Sequence, residues 1–352
     1  MRGVAGAPAL FALDATPAGI AFDGKGERLA VGLGDGTVRI VPVRGGEPLT
    51  VAAPTVAAPT VAAHDGAVLH LRADGDGFLS GGDDGRLVRI GRDGVAETLL
   101  QVPGRWIDAL AVAGGAVAGG AWAAATGKTV HGLGAPLDHP STVGALAFDP
   151  AGGRLAVAHY GGVTVWPVGG GEPQRLEWKG SHIAVSWSPD GRFVVAAAQD
   201  NELHAWRIAD GTAMQMAGYG TKTRSLSWGP GGKYLATSGA DGVVLWSFAG
   251  EGPFGKPPME LGPERKTLVT AVACHPREAL IAYGYRDGQV SLIGFDDRPP
   301  LDLLPADGEP VAGTAWSADG GWLAAAGEGG RVALWRRGGG LMERVKGWLR
   351  GA

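Results

Sequence analysis

The segments SWSPDGRFVVAAAQDN (186–201) and SWGPGGKYLATSGADG (227–242) have the same layout. A bulky residue is followed by a turn, a short apolar run, small residues, and a second turn 14 positions on. AFDGKGERLAVGLGDG (21–36) repeats the layout near the start of the chain. The anchor and second-turn pairs are Phe22/Gly36, Leu71/Gly85, Phe148/Gly162, Trp187/Asn201, Trp228/Gly242, Cys274/Gly288 and Trp316/Gly330. The anchors are separated by 49, 77, 39, 41, 46 and 42 residues. The interval of 77 hides a worn copy, WIDALAVAGGAVAGGAWAAATGKTV (106–130), which makes eight repeats with a degenerate repeat 3 at about 105–134. The interval of 49 contains the tandem TVAAPTVAAPTVAAH (50–64), and removing two five-residue units leaves 39. The extra units are expected to form an expanded surface loop over 50–63.

A period of about 40 residues made of short apolar runs and turns signals a radial all-β array. Each repeat reads as four strands, here a to d, with strand d exemplified by Arg175–Trp178. The b–c turns carry Asp35-Gly36, Asp84-Gly85, Asp200-Asn201, Asp241-Gly242 and Asp287-Gly288. Such pairs tolerate positive φ, and the carboxylate can accept nearby backbone N–H groups. Small residues in strand b allow neighbouring sheets to approach near a central axis. Trp166, Trp206, Trp246 and Trp335 end strand c with large packing area.

On these residues the chain resembles the WD40-repeat β-propeller family over roughly residues 10–337. It is divergent, because those tryptophans precede Pro, Arg, Ser and Arg rather than Asp. His64, His139 and His182 fall near the family's Gly-His position. The resemblance implies a structural hydrogen-bond set of His, turn Asp and strand-c Trp, best matched by His182, Asp200 and Trp206. The fold expected is an all-β propeller of eight blades, or seven if repeat 3 is an insertion. Residues 1–337 form that single domain, and 338–352 an amphipathic tail. Repeat 8 lacks a good strand d, so Leu10–Leu13 is expected to close the ring as its outer strand.

Composition narrows the function. Apolar residues make up 45% and charged residues 19% of 352, enough for a large core. The net charge of −4, with no polybasic block, argues against nucleic-acid binding. Cys274 is the single cysteine, so neither an internal disulfide nor a cysteine metal cluster can form. The apolar runs are too short for a spanning helix, and the N-terminus, broken by Pro8, makes a poor signal peptide. A cytoplasmic location and a monomeric ring are expected.

Tempting motifs dissolve in the repeat frame. GGAWAAATGKTV (119–130) lacks the glycine that a phosphate loop needs five residues before Gly127, where Trp122 stands. Among the histidines, His70, His131 and His204 fall in strands, and no pair has zinc-ligand spacing. His275 fills a turn-entry slot held by Ser in repeats 5 and 8, while His159 sits with Tyr160 at the rim. No Ser/His/Asp or Cys/His arrangement has local support. No cofactor, metal or catalytic residue is assigned.

One rim stands out, where the d–a and b–c loops share a face. Its candidate protein-binding residues are Arg105, Trp106, His159, Tyr160, Gln199, Tyr219, Lys222, Arg224, Tyr285, Arg286 and Glu328. Tyr, Trp and Arg combine apolar area with polar tips and are enriched at hot spots. The connector EGPFGKPPMELGPERK (251–266) reads as a solvated excursion or a recognition loop. In the tail, Leu341, Val345, Trp348 and Leu349 have helical spacing. The expectation is a non-catalytic interaction platform with an unidentified protein partner. A small-ligand- or metal-binding propeller and a hydrolase-like propeller are the alternatives.

Overall fold

The turn residues close the b–c hairpins as their chemistry requires. In the computed structural model of the protein, the Asp35 carboxylate accepts the Thr37 N–H at 3.0 Å and the Thr37 hydroxyl at 2.7 Å. Asp84 and Asp287 hold Arg86 N–H (3.0 Å) and Gln289 N–H (3.2 Å) in the same way. In repeat 5 the positive-φ position is taken by Asn201 (φ 65°), whose short polar side chain makes that region accessible. The structure describes residues 8–43, 60–114, 120–296, 298–337, 345, 347 and 348.

The strands assemble into seven antiparallel sheets, the sequence alternative rather than the eight expected. Repeat 3 is not an insertion. Its strands Ala109–Val112, Trp122–Thr126, Thr129–His131 and Leu137–Asp138 form a four-stranded sheet reaching past the expected boundary at 134. The count falls because repeats 4 and 5 share one six-stranded sheet. Arg154–Pro167 folds back on itself, bringing Val168 N–H to Gly153 O at 2.9 Å. Gln174–Trp187 then serves both repeats, with Glu177 opposite Gly162 and Trp187 opposite Val194. Gly180 (φ 130°) and a register shift between Tyr160 and Gly162 interrupt the run, but Ser181 still pairs with Tyr160 and His182 with Ala198, so the pairing passes from one repeat to the next without a gap.

Two further expectations are corrected. The third TVAAP-like copy is not loop: Thr60–Ala62 forms the outer strand of repeat 1, pairing Val61 with Val38. Val61 is buried there, which fixes the register; the first two copies lie outside the described residues. Within 251–266, Met259–Leu261 forms strand d of repeat 6 rather than a free excursion. In repeat 2 the counterpart of Phe22, which pairs with Leu29, is Ala73, which pairs with Phe78. The a–b turn is two residues shorter there, so Leu71 is not the structural anchor.

Buried apolar clusters bridge neighbouring repeats, and one of them joins Leu29 and Val31 of repeat 1 to Val332 and Leu334 of repeat 8. Near the axis the sheets nearly touch. A Cβ on Gly284 would lie 2.4 Å from a Val311 methyl, and one on Gly32 would lie 2.6 Å from a Val68 methyl. In repeats 5, 6 and 8 a tryptophan at the end of strand a ties the repeat to the one before it. Trp187 Nε1–H donates to Ala147 O (3.0 Å), Trp228 to Ser186 Oγ (2.9 Å) and Trp316 to Ala273 O (3.1 Å).

The ring closes as the sequence implied. Ala9–Ala12 pairs antiparallel with Arg331–Arg336, Leu10 opposite Ala333 and Phe11 opposite Val332. In the tail Val345 is buried against the last two blades, and Trp348 donates to Pro299 O at 2.5 Å beneath Arg298. Leu341 and Leu349 lie outside the described residues.

Deleting residues 1–14 removes the closing strand and opens an unpaired edge. The midpoint of thermal unfolding is expected to fall by roughly 10 °C, with self-association visible by light scattering. An unchanged melting curve would refute the closure.

Candidate interaction rim and central channel

The b–c turns and d–a loops share one face because their backbones bond to each other. Gln199 N–H donates to Ser181 O (2.9 Å), Arg286 to Leu268 O (2.9 Å), Glu328 to Pro310 O (2.8 Å) and Ile107 to Gly82 O (3.0 Å). Lys222, Arg224, Arg286 and Glu328 converge on one cavity of about 570 Å³ at the channel mouth. Trp106 (61% exposed) and Tyr160 (56%) stand out on the same face, and Arg105 and Gln199 are exposed there. Arg105 lines a separate depression with Lys128 and His131, and Tyr160 another with Trp178 and Lys179.

Three candidates do not belong to that surface. Tyr219 is buried: its hydroxyl accepts Trp246 Nε1–H at 2.6 Å and pairs with the Thr237 hydroxyl at 2.8 Å. Burial pushes its phenol up to about 12. Tyr285 is also buried, roofed by the Arg265 guanidinium 4.4 Å from its ring centre. Arg265 is in turn held by Asp287 at 3.0 Å. His159 has both ring nitrogens engaged, Nε2 with the Thr164 hydroxyl and Nδ1 with Tyr160 O, each at 2.8 Å. Sequence reading took these aromatics for rim anchors because it could not see the chain folding over them.

The His182–Asp200–Trp206 set does not form. His204 and Trp206 share a face of one strand, and His204 takes the bond: its Nδ1 meets His182 Nε2 at 2.8 Å. Asp200 is exposed, and Trp206 Nε1 has no partner among the described residues. The family's arrangement survives in pieces elsewhere. Trp166 Nε1–H donates to His139 Nε2 (3.0 Å), and His64 bridges the Ser80 hydroxyl (2.8 Å) and Asp84 (3.0 Å). In repeat 6, Tyr219 stands in for the histidine. His275 is structural as expected, its Nδ1 accepting the N–H groups of Arg277 and Glu278.

Sequence reading missed the channel wall. Opposite their strand-b partners, His70 and Arg72 occupy slots that repeat 1 fills with Gly19 and Ala21, and repeat 7 with Ala271 and Ala273. The signal is two bulky polar residues where the pattern wants small ones. The shortened turn of repeat 2 concealed it by shifting the alignment two places. Both line a deeper cavity of about 280 Å³, together with Arg224. Among the described residues no group of three His, Cys, Asp or Glu side chains could hold a metal ion, and no helix is long and apolar enough to cross a membrane.

Tyr219→Phe leaves the Trp246 N–H without its acceptor. It is expected to cost about 1–3 kcal/mol in urea unfolding, whereas Lys222→Ala at the exposed rim should change stability little. A neutral Tyr219→Phe would sink the structural assignment. A second outcome follows from burial, which lowers His64, His139 and His204 and takes His70 and His182 to about 4. The unfolded chain binds protons at its histidines from about pH 6.5 downward, while all five folded histidines bind them less readily and His70 and His182 resist until near pH 4. Stability is therefore complete above about pH 6.5 and is lost as pH falls toward 4. Urea midpoints measured from pH 7.5 to 4.5 should decline across that window; a flat profile would contradict it.

Comparison with known proteins agrees with this geometry. A model of the WD domain, G-beta repeat, matches residues 174–207, 215–246 and 300–336. The chain is 24% identical over 198 residues to THO complex subunit 3 of Arabidopsis thaliana, covering 54% of this chain and 60% of that one. It is 30% identical over 114 residues to a chromatin assembly factor 1 subunit FAS2 homolog of Oryza sativa subsp. japonica, covering 29% of this chain and 22% of that one. With the cell division cycle 20.1 cofactor of the APC complex from Arabidopsis thaliana it shares 29% identity over 97 residues, 26% of this chain and 21% of the relative. These matches thus span between about a fifth and three fifths of the relatives' lengths. The crystal structure of the computationally designed Ika8 protein superposes with a TM-score of 0.68 at 20% identity, over 93% of this chain and 98% of that one, a likeness of fold. Repeat period, hairpin turns, strand order and ring closure converge on one conclusion: the chain is a divergent WD40-repeat β-propeller.

Proposed function

We propose that the protein is a non-catalytic interaction platform that binds a partner protein through the rim formed by its b–c and d–a loops. One observation carries this reading: Lys222, Arg224, Arg286 and Glu328 surround a single open mouth, with Trp106 and Tyr160 exposed on the same face. Large amphipathic side chains beside exposed cations give both apolar area and directional hydrogen bonds, the usual composition of binding hot spots. WD-repeat relatives named as a THO complex subunit, a chromatin assembly factor subunit and an APC cofactor support a role within assemblies. We place the activity in the cytoplasm, exerted by a monomeric ring.

The test is crosslinked capture from the native host followed by mass spectrometry. Wild type is compared with a variant carrying Trp106→Ala, Tyr160→Ala and Arg286→Glu, all exposed positions whose change should leave the melting curve intact. A protein recovered with wild type and lost with the variant is the expected result. Equal recovery by both baits would move the interface off this rim, and recovery by neither would overturn the platform reading.

A further inference from the structure

The chain as a whole is acidic, with a net charge of −4, yet the axis of the propeller is lined by cations. Arg224 borders both axial cavities, the mouth of about 570 Å³ and the deeper one of about 280 Å³. Lys222 and Arg286 join it at the mouth, and Arg72 lies in the deeper half. Among the described residues lining the two cavities, the one carboxylate is Glu328, at the mouth. Neither Arg72 nor Arg224 forms an ion pair with a described residue. Among the described residues, the one hydrogen bond of the Arg72 guanidinium is donated to the neighbouring Leu71 O at 2.9 Å.

Arg72 is open to the channel but surrounded by protein, and that confinement holds its guanidinium below the usual arginine value. Its charge reaches His70: burial first, and then Arg72, take that imidazole down to about 4. The remaining deep wall is small or apolar, including Gly144, Ala145, Ala184 and Val185. A charge in such surroundings is stabilised little by its own protein, and an incoming anion gains the unspent interaction. A narrow channel walled by low-dielectric protein also focuses the field of its cations toward the entrance.

We propose that the axial channel is an anion-binding site that admits an acidic peptide segment, with Arg224 at the threshold and Arg72 as the inner contact. Arg224 lines both cavities, so a segment carrying carboxylates at successive positions can meet Lys222 or Arg286, then Arg224, then Arg72. A lone small anion could satisfy one of these levels but not all. The strand-a slots explain why the cation projects inward: residue 72 takes the place of Ala21 and Ala273 where the strands converge on the axis. This inference deepens the platform reading and rests on it for the source of the segment, an acidic stretch of the partner protein.

The experiment titrates the full chain with fluorescein-labelled hexaglutamate, read by anisotropy, with hexalysine, inorganic phosphate and tripolyphosphate as separate arms. Hexaglutamate is expected to bind, to weaken as salt is added, and to lose at least about tenfold in affinity in Arg72→Gln/Arg224→Gln. Arg72→Lys, which keeps the charge, should retain most of the binding. It also serves as the reading if the double variant fails to give a wild-type melting curve, alongside Arg224→Gln alone. No hexaglutamate binding, equal binding by the double variant, or binding of phosphate without the peptide would each overturn the proposal. Failure of the two readings is distinguishable. A partner captured equally by wild type and by Arg72→Gln/Arg224→Gln, but lost with the rim variant, sinks the channel and leaves the platform. Hexaglutamate binding that depends on both arginines, with no protein captured, sinks the platform and leaves the anion site.

Discussion

The pairing of Ala9–Ala12 with Arg331–Arg336 is the constraint on which the rest of the structure depends. It joins the first strand of the chain to the last repeat, so every sheet has two neighbours and no repeat is left as a cap. Once the ring is closed, the inner strands are forced together around one axis. Bulk near the axis is then limited by geometry rather than by hydrophobicity. Gly284 and Gly32 are consequences of that limit, since a methyl at either would collide with the next blade. The tryptophan ties of repeats 5, 6 and 8 work under the same constraint, reaching a neighbouring strand close enough to accept their N–H groups.

Closure also sets the value of the exceptions. A small residue in an inner-strand slot does nothing but permit approach. An arginine in the same slot has nowhere to go but the channel, and Arg72 is held there with no described carboxylate beside it. The mouth shows the same imbalance more openly, with Lys222, Arg224 and Arg286 against Glu328. The distribution of charge, more than its sum, gives this propeller a chemical character that a net charge of −4 conceals.

Between the blades, polar groups are interchangeable as long as buried donors find acceptors. Histidine in repeats 2 and 4 and tyrosine in repeat 6 serve the same position, each joined to a hydroxyl, a carboxylate or an indole N–H. In repeat 5 the histidines pair with each other, and the Trp206 indole N–H has no partner among the described residues. This exchange of partners explains why the Trp-Asp dipeptide could be lost without loss of the ring. Packing of the large side chains and hydrogen bonding of the hairpins carry the architecture, and the family's polar set adds to it locally.

The repeat period, the Asp-Gly hairpins, the small strand-b residues and the need for an N-terminal closing strand were legible in the sequence, because each is a local rule repeated around the ring. So was the face on which Lys222, Arg224, Arg286, Glu328, Trp106 and Tyr160 lie. Tertiary structure decided the rest. Tyr219 and Tyr285 turned inward because neighbouring chain covers them, and burial is a property of three-dimensional neighbours, not of residue type. Repeats 4 and 5 merged because Ser181 and His182 carry the pairing from one repeat into the next. The third TVAAP-like copy became a strand because an open edge at Thr37–Arg39 was there to pair with it. Arg72 became a channel residue because the shorter turn of repeat 2 moved it two places, a shift that only the pairing with Phe78–Gly82 reveals.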